Sequence, residues 1–224
     1  MENQSVARVG NIKKNGPGRP EGNTQSRDEI LDAAEVCFAT TGYAGTSLRD
    51  ITTAAGVTQA MVNYYFGSKK ELFRQVYLRR GEQLNQERLD LLDEVTARGH
   101  YSVSDVIRAY LIPVFRLQSD VSGTHYLRIQ ARLHAEPDEF AYGLRQEVYD
   151  VPVRAYVEVM CRLLPAISER KMYIRFTELI GIYLYILSGA HRLDQISQGR
   201  YNIPTSDEMI DEIVEFAARG IGGT

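Results

Sequence analysis

From Ser26 onward the apolar residues fall into helical register. Ile30, Ala34, Cys37 and Phe38 recur at i, i+4, i+7 and i+8, one face of a helix that ends before Gly42. Thr46 or Ser47 caps a second, short helix whose inward positions are Leu48, Ile51 and Ala55. Gly56-Val57 reads as a tight turn, with Thr58 as the next N-cap. A third helix follows from about Thr58 to Phe66 and stops at Gly67. Ser68-Lys69-Lys70-Glu71 has the form of a capping box and opens a long fourth helix through Leu72 and Val76 to about Ala97. Gly81 falls in its middle, where a residue without Cβ would soften it. Beyond Gly99 the period stays helical, with no two-residue alternation. Helices are expected at roughly 103–118, 123–135, 138–164, 168–195 and 206–219, and Pro113 and Pro152 should kink or break two of them. The pattern predicts an all-α chain.

The first 24 residues break this pattern. They hold few apolar side chains and end in Gly16-Pro17-Gly18-Arg19-Pro20-Glu21-Gly22, too little to bury against the entropy of ordering. The expected organisation is a basic, disordered tail at 1–24, a small domain at 25–75 and a larger one at 76–224. Charge divides along the same line. Residues 1–80 carry 11 Lys and Arg against 8 Asp and Glu, whereas the remainder carries 15 against 21, so an overall charge of −3 hides a basic first third. Such an asymmetry fits a chain of which one end meets a polyanion. The longest uncharged stretch of the C-terminal half, Leu179 to His191, is shorter than the ~20 residues a membrane span needs, and no apolar signal segment opens the sequence. No membrane partner is expected, and the expected location is cytoplasmic. Cys37 and Cys161 are far apart and lack metal-ligand spacing, so both read as reduced, small apolar residues.

Two short helices joined by a glycine turn are the helix-turn-helix arrangement, in which the first helix braces on phosphates and the second enters the major groove. The residues carry more than the spacing. Ile30-Leu31-Asp32-Ala33-Ala34, Phe38, Gly42-Tyr43, Thr46 to Ile51, Ala54-Ala55-Gly56-Val57 and Asn63 to Lys69 strongly resemble the DNA-binding domain of the TetR family. Two departures stand out from the variant that ends Asn-Tyr-His-Phe-Gly-Ser-Lys-Glu: Tyr65 replaces His and Lys70 replaces Glu. The resemblance covers roughly residues 26–75. It implies an N-terminal three-helix helix-turn-helix domain and a C-terminal helical domain for ligand binding and dimerisation. It also implies site residues. Thr46 and Ser47, with their backbone N–H groups, would hold a phosphate. Thr58, Gln59, Ala60 and Met61 would enter the major groove beside Asn63, with Gln59 able to bond adenine N6 and N7. Tyr64 would bond a phosphate and Lys69 would add charge. Plainer readings stand beside these: Met61 packs on a thymine methyl only, Tyr65 and Phe66 belong to the core, and Lys70 is solvated. In the tail, Lys13-Lys14 and Gly18-Arg19-Pro20 resemble an AT-hook whose Arg19 would lie in a narrow minor groove. The alternative is a disordered basic leader.

The 168–195 segment is apolar on more than one face, so it needs two burial partners. Phe176, Leu179, Tyr183 and Ile186, with Ile210, Ile213 and Val214 of the last helix, are assigned to a homodimer interface, by analogy with the four-helix bundle of TetR-like proteins. Burial of the same stripe inside one chain is the alternative. Tyr110, Phe115, Tyr126, Arg128, Arg132, His134 and Tyr156 supply the aromatic and polar groups of an effector cavity, although each taken singly also fits core or surface. Arg132 to Pro137 and Tyr173 to Phe176 are similar to a TetR subgroup with fatty-acid-responsive members, which ranks an amphipathic carboxylate first among effectors. Catalysis is not expected. HExxH, GxSxG and P-loop motifs are missing, and the four histidines make no i, i+4 pair. No cofactor or metal is implied. The expected function is a ligand-released repressor that binds a palindromic operator as a dimer. A DNA-organising factor of the same fold, without effector, is the alternative.

Overall fold

A left-handed glycine bends the first helix where its apolar stripe runs out. α1 extends over Glu21–Gly45, and Gly42 sits at φ 74°, ψ 175° within it. A computed structural model describes residues 21–133, 138–188, 192–202 and 204–223, the side chains of 21–25 and 138–140 excepted. Its elements are α1, α2 (Leu48–Ala55), α3 (Gln59–Phe66), α4 (Lys69–Ala97), α5 (Val103–Arg116), a 3-10 turn (Leu117–Ser119), α6 (Val121–Leu133), α7 (Asp138–Leu163), α8 (Glu169–Leu187), α9 (Leu193–Ile196) and α10 (Ser206–Gly222). The chain is all-α, with no strand among the described residues.

Local capping explains most of these boundaries. Ser47, Ser102 and Thr205 each form a full capping box, with Asp50, Asp105 and Glu208 returning the bond to the cap backbone. The bonds from Ser47 hold the Asp50 carboxyl below its ordinary range, and Ser102 and Thr205 do the same for Asp105 and Glu208. Ser68 departs from the expected box. Its hydroxyl accepts from Glu71 N at 3.1 Å, but the Glu71 carboxylate turns forward to Arg74 and Gln75, each at 3.1 Å. Only half of the box forms, because two donors one turn ahead outcompete one cap N–H.

Other expectations need correction. α1 starts at Glu21, inside the segment assigned to the tail. α5 and α7 run through Pro113 and Pro152 without a break. The expected 168–195 helix ends at Leu187, where Ser188 is its C-cap. Gly81 is not a soft point. It is buried in α4, and a Cβ there would stand 2.6 Å from Val148 Cγ1 of α7, so its small size serves close packing of two helices.

The small domain closes over Ile30, Ala34, Phe38, Ile51, Val62, Phe66, Leu72 and Phe73, all buried. It is fused to the larger one through α1 and α4. Glu35, almost wholly buried, takes Arg79 at 2.6 Å, and Arg79 also takes Asp32 at 2.8 Å. α1 packs on α6 as well as on α2 and α4, so the small domain has two connections to the C-terminal bundle. In that bundle α5 packs against α4, α7 and α10, and α8 against α6, α7 and α10.

Candidate nucleic-acid interface

α3 has one apolar edge and one exposed one. Val62 and Phe66, four apart, are buried, each contributing roughly 1.5–3 kcal/mol, and this fixes the helix rotation. Gln59, Ala60, Asn63 and Tyr64 then point outward, with Tyr64 76% exposed. Met61 and Tyr65 are half-buried. The turn before α3 depends on Gly56 at φ 65°, ψ 27°, a left-handed conformation costly with a Cβ, and its N–H bonds Thr52 O. Thr58 then caps α3 by accepting from Met61 N at 3.3 Å. Gly67, at φ 70°, closes the helix with a 2.9 Å bond to Asn63 O.

The predicted phosphate-binding residues divide. Ser47 is exposed at the start of α2. Thr46 is buried, and its hydroxyl donates to Gly42 O at 2.7 Å and pairs with the Thr41 hydroxyl at 2.7 Å. Its side chain thus staples the α1 bend and is not presented to solvent. Lys69 lies with Nζ 4.4 Å over the Tyr43 ring, which stacks edge-on against Phe73. That cation–π contact fixes the ammonium at the start of α4. Arg49, exposed in the first turn of α2, is a further cation on this part of the surface to which the sequence reading gave no role. Its position in the first turn of a helix capped by Ser47, two residues after the cap, was the available signal. Arg19 lies outside the described residues.

The other two predicted sites come out differently. Phe176, Leu179, Tyr183, Ile210, Ile213 and Val214 are buried within a single chain, where α8 and α10 pack on each other and α10 packs on α5. They are core, and Ile186 is half-buried. Periodicity finds an apolar stripe but not the surface that covers it. What α8 and α10 leave outside is another set: Ile174 at 44%, Tyr185 at 54% and Phe216 at 70% exposure, with Gly181 also exposed. Tyr110, Phe115, Tyr126 and Tyr156 are buried in the bundle, but Arg128 and Arg132 are on the opposite, exposed side of α6. These two arginines line a separate dent of about 460 Å³ with Ala39, Thr40, Ala131 and Ser188. His134 lies outside the described residues. No group of side chains suited to hold a metal is present among the described residues. No described helix is long and apolar enough to cross a membrane. Cys37 and Cys161 are free, half-buried thiols, both pushed up by burial.

A capped two-helix unit with a left-handed glycine turn, carried on a larger helical bundle, defines the class of helix-turn-helix regulators. Residues 30–76 match the model for bacterial regulatory proteins of the tetR family, and residues 108–220 match that for the tetracyclin repressor-like C-terminal domain. The chain belongs to the TetR family, whose members are DNA-binding transcriptional regulators and not enzymes. Among curated relatives, the biofilm operon icaADBC negative transcriptional regulator IcaR of Staphylococcus aureus is 25% identical over 131 residues, 56% of this chain and 62% of its own length. The chain therefore matches under two thirds of that relative. The transcriptional repressor AcnR of Corynebacterium glutamicum is 42% identical over 50 residues, 22% of this chain and 27% of its own. The fatty acid degradation regulator FadR of Bacillus halodurans superposes with a TM-score of 0.60 at 16% identity, over 93% of this chain and 98% of that one. That likeness is one of fold.

Proposed function

We propose that this chain is a ligand-released repressor that binds a palindromic operator as a homodimer in the cytoplasm, where the DNA is. The observation that carries this reading is the two-faced α3, anchored by Val62 and Phe66 with Gln59, Ala60, Asn63 and Tyr64 outward. In this reading Thr58, Gln59, Ala60 and Met61 enter the major groove. Ser47, Tyr64, Lys69, Arg49 and the Thr46 backbone hold the phosphates. Repression is supported by the names of IcaR and AcnR, a negative regulator and a repressor.

Dimerisation falls to the exposed apolar residues of α8 and α10, Ile174, Tyr185 and Phe216, in place of the stripe assigned from the sequence. Arg175 ties the two helices together by donating to Ile221 O and, at 2.7 Å, to Gly223 O. Ligand release follows from α4, which starts beside α3 and packs along α5 and α7 of the C-terminal bundle. A small molecule among the middle helices that shifts α4 moves both recognition helices relative to each other.

Sequences selected from a random duplex pool test the reading. The expected product is an inverted repeat, with half-site centres about one helical turn (~34–36 Å) apart and two chains on each site. Enrichment of a single asymmetric site holding one chain would refute it.

A further inference from the structure

α4 places a charge where its stripe calls for an apolar residue. Leu84, Arg88 and Leu92 recur every fourth position, and all three are buried. Arg88 is fully buried, its Cζ 3.8 Å from the Tyr110 ring centroid and 5.6 Å from that of Tyr183. Nε donates to Tyr110 O at 3.1 Å, and Tyr156 donates to Arg88 O at 2.7 Å. The two terminal nitrogens, Nη1 and Nη2, are buried and make no hydrogen bond. Among the described residues no carboxylate pairs with this guanidinium. A guanidinium does not give up its proton in a protein, so the charge stays. Neighbouring phenols do not balance it: burial holds Tyr110 well above its ordinary value and Tyr126 up to about 12, so both are neutral. Their hydroxyls, likewise buried, also lack partners.

We propose that Arg88 is the anchor for an anionic ligand, a small carboxylate with an apolar body. A carboxylate matches the paired Nη1 and Nη2 donors, and the Tyr110 hydroxyl adds a neutral donor. Entry is between α7 and α8, where Arg145, Tyr149, Asp150, Ile180 and Tyr183 line a mostly apolar opening of about 170 Å³. A dry cavity of roughly 150 Å³ admits benzene, so a body of that size fits. Tyr183 borders both the opening and the guanidinium, and its hydroxyl accepts a long 3.4 Å bond from Gln130. The proposal requires the Tyr183 ring to rotate so that the opening reaches the charge.

This inference gives the chemical class of the effector in the reading above and rests on it only for the consequence on DNA. Benzoate, phenylacetate and hexanoate, each beside its neutral amide, are the probes, with full-length protein in calorimetry and thermal melts. At least one acid should bind about tenfold or more tightly than its amide and raise Tm. Arg88→Met should lose that preference and melt higher than the wild type without ligand, since a buried unpaired charge is gone. If Arg88→Met does not fold, the acid–amide contrast in the wild type decides alone. Equal binding of acid and amide, no binding of any acid, or an acid response that survives Arg88→Met would overturn the proposal. An acid that binds through Arg88 without changing operator affinity would refute ligand-controlled repression and keep this site. A neutral effector that releases DNA, with no acid bound, would do the reverse.

Discussion

A chain carrying both Tyr185→Glu and Phe216→Glu should remain folded and become monomeric. Both side chains are more than half exposed, so neither substitution opens the core of the protomer. Across an apolar interface, however, each glutamate would be desolvated without a partner, and the twofold axis would bring like charges to the same face. DNA binding would suffer more than the fold. Two linked helix-turn-helix domains bind the second half-site at the effective concentration set by the dimer, and a monomer forfeits that advantage, roughly 10²–10⁴ in affinity. Sedimentation velocity and operator titration should therefore change together. A double variant that still sediments as a dimer would place the interface elsewhere. By contrast, Leu179→Glu should unfold the protein, because Leu179 is 1% exposed in one chain.

Gly123→Ala should be among the most destabilising single-methyl additions in the chain. Gly123 lies in the first turn of α6, directly over the 3-10 turn, and a Cβ there would stand 2.1 Å from Leu117 O and 2.9 Å from Leu117 C. The obstacle is backbone, so no side chain can swing aside. Asp120 fixes the geometry further by accepting from Gly123 N at 3.2 Å. Relief requires moving the whole start of α6, and we expect a loss of about 3 kcal/mol or more. Gly143→Ala is the control. It lies in α7 with nothing within 4 Å of the new methyl, so helix propensity alone should stabilise by about 0.5–1 kcal/mol. Urea midpoints of the two variants, moving in opposite directions, would bear this out. Equal midpoints would show that α6 is loosely seated.

The helix-turn-helix was legible because its signals are local. Gly56 needs a left-handed backbone, Thr58 caps from its own position, and Val62 and Phe66 are a turn apart, so nothing distant has to be known. The C-terminal domain was legible only as helices. The stripe Phe176, Leu179, Tyr183 is apolar in sequence whether a partner subunit or its own bundle covers it, and tertiary packing made the choice, with Phe176 and Tyr183 set against Tyr110 of α5. The residues left for a partner, Ile174, Tyr185 and Phe216, are interspersed with polar ones and form no clean period. Arg128 and Arg132 illustrate the same limit: chemistry suggested a ligand, but their register on α6 turns them to solvent. Arg88 did have a sequence signal, a lone cation midway between Leu84 and Leu92 on an inward face. Its burial comes from α5 and α7 packing on α4, which the sequence of α4 alone does not show.

The most direct measurement of the central claim, that the outward edge of α3 reads DNA, is the affinity of Gln59→Ala for a set of operators changed one base pair at a time. Gln59 is the first residue of α3 and is exposed, so its loss should leave the melting temperature unchanged. Affinity for the parent operator should fall by roughly 1–3 kcal/mol, with discrimination lost at a single symmetric pair of base positions. Tyr64→Phe should instead weaken every operator alike, as a phosphate contact does. Uniform weakening by Gln59→Ala, with discrimination intact at every position, would contradict the account.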